Sequence, residues 1–279
     1  MFVTAIIGLI SNFVAIRLIL KTRLFHNCFG YLMLLHTTSE AIILSIFVVW
    51  AVPMAISGST FSTSYFGKKI GHLVLFLFFL ILYVQVFKAI NRFIAIFKPT
   101  YYRTYFSDDK IKFIIFVTIA CSMIHCLIYF LDGCNFYFDS ENIYWDYENT
   151  WCYDYLNIFV DFYYSLSLMT FVIGIDLITF GLVMKSGITK SSNKDFKLFL
   201  QTFSTSIVYA IMMITTRFGN YLGDGWWFIF LKSTITWECT HMIDGIIIVL
   251  FNLKKVNSAS NSKTAITDKQ TKTFVQVKG

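Results

Sequence analysis

The chain alternates between long apolar runs and short polar connections. The runs are far longer than a strand and carry few charges, which is the pattern of helices that cross a hydrocarbon core of about 30 Å. Seven such runs occur, at about 2–20, 28–51, 70–97, 111–131, 157–184, 198–217 and 227–251. Pro53 and Pro99 are the only prolines, so little interrupts the helical hydrogen-bond ladders. The pattern predicts an all-α integral membrane bundle of seven transmembrane helices over residues 1–252. A Ser/Thr/Lys-rich tail, 253–279, is expected to be disordered and cytosolic. The first run begins beside Met1 without a basic leader segment or a small-residue cleavage site. It reads as a span rather than a signal peptide.

Polar positions between the runs set the expected orientation. Lys21 and Arg23, then Lys98, Arg103, Lys110 and Lys112, then Lys185, Lys190, Lys194 and Lys197 all fall on one side, and the tail adds more bases. The opposite side has Lys68 and Lys69, and its long connection 132–156 holds acids but no base. Bases favour the cytosolic side, so the N-terminus is expected outside and the C-terminus in the cytosol. Lys254 and Lys255 would attract anionic membrane lipid by about 1 kcal/mol each. Composition agrees: the chain is 57% hydrophobic and 14% charged, against about 45–50% and 25% for soluble domains. The net charge of +7 is spread over short connections, so it does not indicate a nucleic-acid partner.

Cys134 and Cys152 lie in the long connection, on the oxidising side. A bridge between them is expected, closing a loop worth about 3 kcal/mol in the chain-entropy picture. The remaining cysteines fall in or beside apolar runs, where thiols usually pack inertly. Residues 132–156 are also aromatic and acidic, which fits either an interfacial belt or a lid over a ligand cavity. The chain has no P-loop, HExxH, GxSxG or CxxC. "WECTH" clusters Glu238, Cys239 and His241, a weak metal motif better read as polar packing. No enzyme activity, metal or cofactor is expected.

Ionisable groups inside the spans carry more meaning, since each costs roughly 2.5–3.5 kcal/mol at a helix centre. Glu40, Asp176, Glu238 and Asp244 bear that cost, with Asn12 as a polar neighbour in span one. His36 and Glu40 share a helix face at i, i+4. Two readings stand side by side: interhelical hydrogen bonding by protonated carboxyls, or a hydrated polar switch between spans one, two and seven.

"KAINRFIAIFKP" (Lys88–Pro99) ends the third span on the cytosolic side. By itself, Arg92 there reads as a snorkelling base. In its setting "NRFIAIFKP" resembles the Asp-Arg-Tyr region of rhodopsin-like G-protein-coupled receptors. The closer resemblance is to nematode serpentine receptors of class X (Srx), presumed chemosensory receptors. "GLISNFVAI" with Asn12, "DGCNFYFD" with "TWC", "DFYYSLSL" with "GIDLITF", and "HMIDGIIIVLFN" match that family's first helix, outer loop, fifth helix and seventh helix. The likeness covers nearly the whole chain.

The resemblance implies a chemosensory receptor at the plasma membrane, with sensory cilia as a place for it. It would bind a small-molecule or peptide ligand and activate a heterotrimeric G protein through Asn91 and Arg92. The sequence departs from the wider receptor pattern in ways that matter. Asn91 replaces the acid beside Arg92, so a resting restraint must come from elsewhere, with Asp195, Asp108 and Asp109 as candidates. The fourth span lacks its usual Trp, spans five and six lack prolines, and Asp244–Gly245 stands where Asn–Pro is typical. Glu238 falls about where an opsin carries its retinal-binding Lys, which argues against light sensing. The rival readings are a seven-helix ligand-gated channel, which predicts the opposite orientation, and a small-solute carrier, which predicts repeats and broken helices that the sequence lacks.

Overall fold

The computed structural model describes residues 1–22, 25–107, 110–185, 193–219, 223 and 225–252, with the backbone alone described for 193–197. Among these residues, seven helices are long and apolar enough to cross a membrane. They are α1 (Phe2–Lys21), α2 (Cys28–Ser57), α3 (Tyr65–Phe97), α4 (Ile111–Phe130), α5 (Tyr155–Lys185), α6 (Asn193–Phe218) and α7 (Trp226–Asn252). The predicted tail, 253–279, lies outside the described residues.

Three helices begin or end away from the hydropathy runs: α6 starts at Asn193, and α2 and α3 depart for local causes. Ser64 accepts a hydrogen bond from Gly67 N at 3.3 Å and so caps α3 five residues before its apolar run. Lys68 and Lys69 therefore sit in the first turns of α3. The second helix continues through Pro53, because a π-helical turn, Phe47–Ala51, precedes it. There Val52 N bonds back to Phe47 O, which shifts the ladder just where the proline removes a donor. Similar π-helical stretches occupy Tyr155–Tyr164 in α5 and Leu231–Ile235 in α7.

Burial follows helical spacing. In α1, Ala5, Gly8, Asn12, Ala15 and Ile19 face inward, while Ile10 and Phe13 are exposed on the opposite side, the arrangement of a helix between protein and lipid. Central in the bundle is α3, which packs against α2, α4 and α5 and buries residues 77–82 without interruption. At the crossing of α1 and α7, a Cβ on Gly245 would press on Ser11 and Asn12, so that close approach needs glycine.

Among the described residues one β-hairpin interrupts the helical fold: β1 (Phe136–Asp139) pairs antiparallel with β2 (Tyr144–Tyr147), Phe136 opposite Tyr147 and Phe138 opposite Trp145. Phe136, Phe138, Trp145 and Tyr147 point into the bundle. Tyr137, Asp139, Tyr144 and Asp146 lie on the other face, as a pleated strand requires. The Cys134–Cys152 disulfide, with Cα atoms 5.3 Å apart, closes the base of the hairpin. The hairpin also lies directly on α3, since a Cβ at Gly71 would collide with the carbonyl of Phe136.

Candidate functional site

Below the hairpin is a cavity of about 290 Å³, walled by α3, α5, α6 and α7 and roofed by β1 and β2. Its apolar wall belongs to an aromatic cluster built across five elements. Trp237 of α7 meets Phe47 of α2 and Phe78 of α3 edge-on, at centroid distances of 5.8 and 5.9 Å. Trp145 of β2 stacks on Phe136 at 5.7 Å. Edge and offset contacts of this kind hold rings firmly. The indole Nε1 atoms of Trp145 and Trp237 and the hydroxyl of Tyr147 are buried without a hydrogen-bond acceptor among the described residues.

Charged groups line the rest of the cavity: Asp146, Asp161, Arg217 and Lys232. Asp146 is satisfied locally, accepting from Tyr147 N at 2.8 Å and the Tyr144 hydroxyl at 3.1 Å. Burial holds its carboxyl above the usual range in spite of those bonds. The roof is pinned at both ends. Lys68 of α3 pairs with Glu148 at 2.7 Å, and Asn135 also donates to Glu148 at 2.6 Å. These bonds keep the Glu148 carboxyl below its ordinary value of 4.5 against the opposing effect of burial. At the hairpin turn, Thr234 of α7 donates to the carbonyl of Ile143 at 2.7 Å. Ile143 has φ of 60°, a left-handed conformation that strains a β-branched residue.

A second polar site lies deeper, among helices α1, α2, α6 and α7. His36 Nε2 meets Asp244 Oδ2 at 2.5 Å and Glu40 Oε1 at 3.3 Å. Glu40 also accepts from the Tyr209 hydroxyl and bonds His241 Nδ1. Thr205 donates to Asp244. Asn12 donates to Gly8 O at 2.9 Å and to His241 O at 3.1 Å. All of these side chains are buried, where a hydrogen-bonded partner offsets the cost of losing water. His36, Glu40 and Asp244 offer ligand atoms within 4.8 Å of one another, a spacing that could also hold a cation. Glu238 stands apart and accepts from Thr4 of α1. The "WECTH" residues do not converge, since Glu238 turns to α1 and His241 to α2.

At the end of the bundle opposite the hairpin, Arg92 Nη2 donates to Asp176 Oδ1 at 2.5 Å, tying α3 to α5. Lys88, one turn earlier and also buried, lies in the field of Asp244, Glu40 and Asp176, between this pair and the network above it. The pair is monodentate. Arg92 Nη1 and Asp176 Oδ2 are buried without a partner among the described residues, as is Asn91 Nδ2. Among the described residues the hydrogen bond of Asp176 runs to Arg92 rather than to the α1–α2–α7 network. The Asp195 side chain, Asp108 and Asp109 lie outside the described residues.

Tyr209 and Thr205 are missing from the residues that the sequence singles out, and so are the cavity charges Asp161, Arg217 and Lys232. Tyr and Thr in an apolar helix give no signal of their own. Asp161 lies inside a predicted span and was legible by the rule that flags Asp176. It escapes notice because it sits near the span's end, where a charge reaches the interface at little cost.

A family model described as serpentine type 7TM GPCR chemoreceptor Srx matches residues 2–252. No curated protein matches the chain.

Proposed function

The chain belongs to the Srx family of serpentine chemoreceptors, and we propose that it works by joining the hairpin-end cavity to the Arg92–Asp176 pair. It is a chemosensory G-protein-coupled receptor and a multi-pass membrane protein. The hairpin end faces outside and the Arg92 end faces the cytosol, which places the N-terminus outside and the C-terminus inside. The loop bases on the Arg92 side and the disulfide at the hairpin end support this orientation. The receptor acts at the plasma membrane, and sensory cilia are the natural site for it.

A ligand seated in the cavity touches α3, α5, α6, α7 and the hairpin together, so it favours whichever arrangement of these elements fits it. The network of Asn12, Glu40 and Asp244 with its histidines is the switch layer beneath the ligand. Glu238 anchors α7 to α1 beside that layer. Asp176 restrains Arg92 at rest. Activation frees Arg92, which with Asn91 meets the C-terminal helix of a G-protein α subunit in a helix-in-groove mode.

The observation that carries this reading is the buried bond from Arg92 to Asp176. It supplies from another helix the restraint that Asn91 cannot. The test is expression with several G-protein reporters and pooled chemical cues. A response lost in Arg92→Ala at unchanged surface level supports the reading, and a response that survives intact refutes it. Antibody access to tags at each terminus checks the orientation.

A further inference from the structure

Asp161 is the feature of the cavity that its own surroundings do not explain. It lies on the π-helical stretch of α5 and lines the cavity. It has no hydrogen-bond or ion-pair partner among the described residues, whereas Asp146, the other cavity acid, has both oxygens bonded. The cavity's own cations, Arg217 and Lys232, line the same chamber, but neither pairs with Asp161, and aromatic residues lie beside it. Asp161 lies in the field of Tyr129 and Tyr147, and Phe162 follows it. The aromatic wall of Trp145, Trp237 and Phe78 completes the chamber. A carboxylate without a partner in an aromatic-lined cavity is the complement of a cation, because both the charge and the ring quadrupoles attract it. Placing a π-helical turn at that point aims the side chain where a regular helix would not.

We infer that the cavity selects a small organic amine. The ammonium group sits on Asp161 and the hydrocarbon or aromatic body lies against Trp145, Trp237 and Phe78. This rests on the reading of the cavity as the ligand site and names the chemical class that it takes. The volume of about 290 Å³ is at the small end of ligand pockets, so the amine carries one ring or a short branched chain. The indole donors of Trp145 and Trp237, which lack acceptors, suit an acceptor atom at the ligand's far end. A hydroxylated or ether-bearing amine therefore binds better than its plain analogue.

The test uses the full chain in lipid nanodiscs and reads thermal stabilisation by compounds of matched skeleton. Phenethylamine, tyramine and isoamylamine are the amines, and 2-phenylethanol and phenylacetate are the neutral and anionic counterparts. At least one amine raises the melting temperature at about 1 mM or below, and its counterparts do not. Asp161→Asn weakens the apparent affinity for that amine by about ten- to a hundredfold, the range for one hydrogen bond to a charged group. Asp161→Glu keeps most of it. Equal stabilisation by the neutral or anionic compound overturns the inference. So does an amine effect that Asp161→Asn leaves unchanged, or the absence of any effect from the three amines. Repeating the measurement in Arg92→Ala separates the two claims. Amine binding that persists there without signalling leaves this inference standing whatever becomes of the coupling scheme. Stabilisation by no compound of any class counts against the cavity as ligand site.

Discussion

Removing the carboxylate of Asp176 should raise signalling in the absence of ligand. Asp176→Asn keeps the size of the side chain and takes away its charge. At an effective dielectric of about 20, two charges about 4 Å apart attract by about 4 kcal/mol. Part of that is offset, because both groups are buried and each keeps one atom without a partner, and a buried donor left unmade costs about 1–3 kcal/mol. The net bias toward the resting state is then about 1–3 kcal/mol, or a factor of about 5 to 150. A receptor active about 1% of the time at rest would become active about 5% to 60% of the time. The assay is basal reporter output in cells, normalised to surface protein. Asp176→Glu should stay near wild type, since it retains the charge. Arg92→Ala combined with Asp176→Asn should be silent, because the proposed coupling residue is gone. Basal output unchanged in Asp176→Asn, with normal surface protein and a responsive wild type, would refute the reasoning.

Four further outcomes follow from other parts of the structure. Asp244→Ala should reduce ligand-driven signalling more than surface delivery, and equal loss of both would assign the buried network to packing alone. Cys134→Ser should lower thermal stability by about 3 kcal/mol through the loop that the disulfide closes, read by thermal melting in nanodiscs. Gly71→Ala should lift the hairpin from α3, seen as faster hydrogen exchange in β1 while α4 is unaffected. Protection of the hairpin should also depend on acid. Glu148 has a depressed pKa in the folded protein, so its bonds to Lys68 and Asn135 contribute fully above pH 4.5 and are lost as pH falls through that lower value. Hydrogen exchange should show this loss in the wild type, and Glu148→Gln should show no such step.

The seven helices were legible because lipid demands long unbroken apolar runs, and such runs are visible in any single sequence. Cys134 and Cys152 were legible because they are the cysteines of one acidic loop. The hairpin between them was not. Its inward residues Phe136 and Phe138 alternate with Tyr137, another aromatic, so the period of two that marks a strand is hidden from hydropathy. Arg92 and Asp176 each stood out as a charge in an apolar run. Their partnership did not, because it joins helices 84 residues apart, and only the packing of α3 on α5 creates it. The network around Asp244 shows the same limit: spacing puts His36 and Glu40 on one face, but Thr205 and Tyr209 enter from α6 through tertiary contact alone.

The π-helical stretches give this bundle a store of rotation. An α-helix turns about 100° and rises 1.5 Å for each residue, and a π turn holds roughly one residue more than an α turn. Tightening one back to α geometry turns the rest of that helix by about one residue's angle. In α7, the segment past Leu231–Ile235 carries Glu238, His241 and Asp244. In α5, the segment past Tyr155–Tyr164 carries Asp176. One register step in either helix moves these side chains off Thr4, Glu40, His36 or Arg92. A ligand against the π turns would then wind a helix like a screw by a single thread, a change of state that needs no bending in a bundle without proline in α5, α6 or α7.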